Sequence, residues 1–65
     1  MKVNTRELQL AMIGKQVNVA KVAREIGMTP QGIHTILRTG NSTYKTIGKL
    51  SEYLGVDPEK LIQGE

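Results

Sequence analysis

The chain reads as an all-α, compact five-helix domain in which the second and third helices form a helix-turn-helix. Three observations lead there. Glycines 14, 27, 40, 55 and 64 each close a segment whose apolar residues recur at helical spacing, the position where a helix C-terminus favours glycine. Asn4, Asn18, Thr29 and Asp57 each open such a segment as N-cap residues, with an apolar residue just before and another four positions after. The pairs are Val3 with Leu8, Val17 with Val22, Met28 with Ile33 and Val56 with Leu61, the spacing of a hydrophobic staple. No alternating strand pattern, internal repeat, low-complexity tract or linker interrupts residues 1–65, which are therefore read as one domain.

The first helix is expected over about Thr5 to Ile13, with Asn4 and Glu7 as an approximate capping box and Leu8, Ala11 and Met12 facing inward. The second runs about Val19 to Ile26, with Val22, Ala23 and Ile26 on its apolar face. Gly27 stops it, because glycine reaches the left-handed conformation without steric cost. Thr29 and Pro30 suit the N-cap and first helical positions, so the third helix begins at once and runs to about Arg38, burying Ile33, Ile36 and Leu37. The join of Gly27, Met28 and Thr29 is too short for antiparallel packing, so the two helices should cross steeply. Ala23 and Gly27 lie one turn apart, where larger side chains should push the third helix away. The fourth helix begins after Ser42 or Thr43 and ends near Leu54, with Ile47, Leu50, Tyr53 and Leu54 buried or half-buried. The fifth covers Pro58 to Gln63 and packs Leu61 and Ile62.

Composition narrows the function classes. Sixty-five residues bury a limited core and leave little room for an enclosed active site. There is no cysteine, hence no disulfide and no thiolate metal site, and the single histidine lacks clustered carboxylates, so no metal or cofactor is expected. No nucleophile–base pairing or phosphate-binding loop is present, which argues against an enzyme and a small-molecule substrate. No apolar run approaches the ~20 residues of a membrane span, and the N-terminus does not read as a secretory signal. A cytoplasmic protein without membrane contact is expected.

The net charge is +3, and its distribution is uneven. Residues 27–51 carry Arg38, Lys45 and Lys49 and no acid, whereas residues 52–65 carry Glu52, Asp57, Glu59 and Glu65 against Lys60. Such a pattern fits an anionic partner approaching the third helix and the polar segment beyond it; an ordinary solvated surface fits it equally well.

Residues 19–40 resemble the helix-turn-helix of the phage repressor and Cro family (XRE-like) of small bacterial DNA-binding proteins. Ala23, Gly27 and the apolar set Val22, Ile26, Met28, Ile33 and Ile36 stand in register with that motif, and Thr29-Pro30-Gln31 fits the polar start of its second helix. The likeness extends over about Leu8 to Ile62, matching a lambda-repressor-like five-helix domain. It implies a sequence-specific, double-stranded DNA-binding transcriptional regulator of a phage or bacterial switch, with helix 30–38 in the major groove.

The outward face of the third helix then becomes the expected reading surface. Gln31 and Thr35 lie one turn apart, as do His34 and Arg38, and none is acidic. Gln31 can donate and accept together, matching adenine N6 and N7. Thr35 offers a hydroxyl and a methyl; His34 can bond a base or phosphate, more strongly when protonated. Arg38 suits a base or phosphate at the helix end. Gly32 costs helix stability, so its backbone should lie close to something, either DNA or a packed neighbour. Gln31, Thr35 and Arg38 also read as ordinary surface side chains.

Phosphates are expected at Asn18 and Thr29, which cap helix N-termini, and at Asn41, Thr43, Tyr44 and Lys45 in the loop that the resemblance lays along the sugar-phosphate chain. Two departures limit the analogy. Where many family members carry a paired glutamine brace, this chain has Val19 and Pro30; where they carry a basic residue late in the first helix, it has Met12 and Ile13, with Lys15 as a substitute. A homodimer on a double-stranded operator would place two motifs about one helical turn, ~34 Å, apart, pairing through Val56, Leu61 and Ile62. The competing expectation is a protein-interaction module, such as an antirepressor or antitoxin, which should expose an apolar patch.

Overall fold

In the computed structural model, which describes residues 1–63, the helices are α1 (Thr5–Lys15), α2 (Val19–Ile26), α3 (Pro30–Thr39), α4 (Tyr44–Leu54) and α5 (Pro58–Leu61). The all-α class and the five helices agree with the sequence reading. Asn4, Asn18, Thr29, Thr43 and Asp57 are the N-caps, each with its side-chain oxygen accepting a backbone N–H of the first turn. α2 packs on α3 and α4, and α1 and α4 both pack on α5. Leu8, Met12, Val22, Ala23, Ile26, Ile33, Ile36, Ile47, Leu50, Leu54 and Leu61 close into one core, joined by Val3. Ala11, Leu37, Tyr53 and Ile62 lie half-buried around it.

Three expectations change. α1 does not stop at Gly14 but runs to Lys15, with Gln16 in the left-handed conformation at φ 61°. The stop is closed by backbone hydrogen bonds, the Gln16 N–H donating to the Ile13 carbonyl at 3.0 Å and the Val17 N–H to the Met12 carbonyl at 3.1 Å. They satisfy the last carbonyls of α1 with the stop two residues beyond the glycine. Gly64, the last expected stop, lies outside the described residues.

Secondly, the N-terminus is not merely a lead-in to a helix. Lys2 pairs with Asn41 and Val3 with Ile62 in antiparallel bridges. The Val3 N–H donates to the Gly40 carbonyl (2.8 Å), the Ser42 N–H to Met1 (3.0 Å), the Asn4 N–H to Leu61 (2.8 Å) and the Gln63 N–H to Lys2 (3.1 Å). This pairing draws Ile62 into extended backbone, so α5 ends at Leu61 rather than at Gln63. It also takes the Asn4 N–H, leaving only half of the capping box: Asn4 Oδ1 accepts from the Glu7 N–H at 3.1 Å.

Thirdly, crowding at Gly27 is absent. A side-chain carbon built there meets nothing within 4 Å, so only the backbone requires glycine, at φ 78°. The turn is closed by the Met28 N–H donating to the Ala23 carbonyl at 2.7 Å. A left-handed conformation costs an ordinary residue roughly 1–2 kcal/mol, more when it is β-branched, and costs asparagine least. Gly27→Val should therefore destabilise by about 2 kcal/mol or more and Gly27→Asn by under about 1 kcal/mol. Urea unfolding of the two variants checks this; equal losses would show that the conformation at residue 27 is not what selects glycine.

Candidate nucleic-acid interface

α3 divides its residues cleanly. Ile33 and Ile36 are buried, whereas Gln31, His34, Thr35 and Arg38 are exposed and line one open, shallow depression. The division follows from helical period: residues four apart share a face, and Ile33 and Ile36 are drawn to the core shared with α2. The Thr35 hydroxyl donates to the Gln31 carbonyl at 2.9 Å. Its proton is thereby engaged within the helix, leaving its methyl group and its acceptor capacity for a partner. Thr39 repeats the device one turn on, donating to the Thr35 carbonyl at 2.8 Å.

Gly32 is half-buried, and a side-chain carbon added there would lie 3.0 Å from the Met28 terminal methyl. Of the two neighbours expected for it, the packed one is present within the chain.

The expected phosphate-binding residues fall at three places. Asn18 Oδ1 accepts from the Lys21 N–H (2.8 Å), and Thr29 Oγ1 from the Gly32 N–H (3.1 Å). Both oxygens are thus held as caps; what each retains for an anion is its donor, the amide NH2 of Asn18 and the hydroxyl proton of Thr29. Beyond α3, the Asn41 N–H donates to Thr39 Oγ1 at 3.3 Å. Thr43 Oγ1 accepts from the Thr46 N–H at 3.3 Å and donates to Thr46 Oγ1 at 3.1 Å, so its proton is also engaged. Tyr44, 80% exposed, and Lys45, also exposed, stand at the start of α4. Thr39 carries no signal in the sequence, because an outward threonine shows nothing until its back-bond to the helix is known.

Lys15, expected as the stand-in for a basic residue late in the first helix, is turned elsewhere. Its ammonium lies over the Tyr53 ring, 5.0 Å from the centroid, and is held against α4. Among the described residues, no cluster of three or more histidine, cysteine, aspartate or glutamate side chains could hold a metal ion. No helix among them is long and apolar enough to cross a membrane.

What this surface can do chemically is narrow. It offers one carboxamide, one imidazole and one guanidinium on a single exposed helix face, without a carboxylate among them. That set can donate hydrogen bonds to, and in part accept them from, a polar or anionic partner of matching width. No protein-family model, curated protein or solved structure matched this chain.

Proposed function

We propose that the chain is a sequence-specific, double-stranded DNA-binding regulator with a lambda-repressor-like arrangement, α3 lying in the major groove. The observation that carries the reading is the exposed, acid-free face of Gln31, His34, Thr35 and Arg38 on a helix set by a short turn after α2. A helix fits the major groove, where every base pair presents a distinct donor and acceptor pattern. Gln31 reads adenine, the Thr35 methyl meets a thymine methyl, and His34 and Arg38 bond bases or phosphates at the far end. Asn18, Thr29, Asn41, Tyr44 and Lys45 hold the backbone, fixing orientation without reading sequence. Footprinting on the DNA flanking the protein's own gene tests this; no protected tract at any protein concentration would overturn it.

Lys45 supplies a sharper check on the same reading. Each lysine that neutralises a phosphate releases a counterion, so log affinity falls with log salt in proportion to the number of such contacts. Lys45→Ala should weaken binding to all sequences and flatten that slope by roughly 1. An unchanged slope would remove Lys45 from the interface.

A dimer on a near-palindromic site would have to set its two α3 helices ~34 Å apart, one helical turn of DNA. Leu61 cannot serve the pairing, being 0% exposed within the core, and Val56 and Ile62 are half-buried.

The alternative, a protein-interaction module, draws support from one observation. α1 carries Leu10 and Ile13 outward at 49% and 70% exposure, and Ile13 adjoins a groove lined by Met12, Val17, Val19 and Leu37. Under the DNA-binding reading, a charge placed there by Ile13→Lys should leave DNA affinity unchanged; under the alternative, it should abolish capture of the protein partner.

A further inference from the structure

We infer that Lys2 is a further contact to the nucleic-acid backbone, carried to the candidate interface by the antiparallel pairing of the N-terminal segment with the loop after α3. The inference rests on the DNA-binding reading above and extends it to a residue far away in sequence.

The placement is set by backbone geometry. The Val3 N–H donates to the Gly40 carbonyl and the Ser42 N–H to the Met1 carbonyl, so residues 1–3 run antiparallel to 40–42, with Lys2 directly opposite Asn41. Residues opposite one another in an antiparallel pair send their side chains to the same side, and successive residues alternate sides. Val3 is inward, 2% exposed in the core, so Lys2 and Asn41 project together to the other side, and both are exposed. Asn41 leads from α3 to Thr43, Tyr44 and Lys45 at the start of α4. The acid-free stretch 27–51 therefore gains a cation that its own sequence lacks. The partner this suits is a polyanion with regularly spaced charges, and a flexible ammonium acts on such a partner as a point charge without selecting a base.

The test compares two single-charge removals in the full chain, measured on a bound duplex over a range of salt concentrations. Lys2→Ala is expected to weaken binding to every sequence and to lower the salt slope by roughly 1. Lys60→Ala removes the same charge from the groove between α1 and α5, lined by Glu7, Leu10 and Ala11, and is expected to leave the slope unchanged. Thermal unfolding of Lys2→Ala should match the native chain, because only the side chain of an exposed residue is changed, and Lys2→Arg should restore the slope. If both alanine variants lower the slope equally, net charge and not contact is responsible, and the inference falls. It falls also if neither does so while the native chain binds with a steep slope. If the native chain shows no salt-dependent binding, the reading of the α3 face fails first and takes Lys2 with it.

Discussion

Ile33→Ala is expected to remove about 2–5 kcal/mol of unfolding free energy, the usual cost of deleting a large buried aliphatic side chain. A chain of this length typically holds only about 3–10 kcal/mol in total. The substitution should therefore leave a substantial unfolded fraction at room temperature, visible as lost helical circular dichroism or a large drop in the urea midpoint. Ile33 is 0% exposed and stands where α3 meets the core. The cavity cannot be refilled cheaply, since Val22, Leu8 and Leu50 are themselves fully buried. The adjacent residue provides the contrast: His34→Ala, on the exposed face, should stay within about 0.5 kcal/mol of the native chain. Equal effects at residues 33 and 34 would mean that α3 presents a different face to the core, and the candidate interface would disappear with that result.

The second large effect is on recognition. Gln31→Ala should cost about 1–3 kcal/mol of discrimination at the base pair it faces, roughly 5- to 150-fold, while affinity for unrelated DNA stays nearly constant. The proposed interface would give this separation, because it places phosphate contacts on other residues, and such contacts are indifferent to sequence. Gln31 sits in the first turn of α3 with its side chain exposed, so truncating it leaves the fold intact. A competition assay across single-base variants of the footprinted site resolves the two terms. Unchanged base preference would remove Gln31 from readout; a uniform loss across all sequences would assign it to the backbone instead.

Much of the architecture was legible because it is local. N-caps, stops and apolar spacing all act within a few residues, and Asn18, Gly27, Thr29 and Gly55 carry the roles their types suggest. The failures were of two kinds. At Gly14 and Gln16 the stop falls on a left-handed glutamine instead of the glycine, closed by the Val17 N–H on the Met12 carbonyl, a pairing that residue preference alone does not reveal. At residues 1–3 the determining partners lie far along the chain, at Asn41 and Ile62. A short run such as Lys2-Val3 has no period from which to read such pairing, so Val3 showed only its role ahead of α1 and Lys2 showed none. Ser51, buried with its hydroxyl donating to the Gly48 carbonyl at 2.9 Å, was invisible for a similar reason: its satisfaction is an event of the folded helix. The outward face of α3 was the opposite case, since helical period alone separates Gln31, His34, Thr35 and Arg38 from Ile33 and Ile36.

The seam in which Val3 lies between Gly40 and Ile62 also bears on how the chain comes to be folded. In most small helical proteins the tips loosen first and at little cost. Here residues 1–3 cannot reach their final burial until residues 40–42 and 61–63 are in place, so closing the seam depends on partners distant in sequence. Once closed, that seam ties three separate stretches, 1–3, 40–42 and 61–63, so they are expected to come apart together.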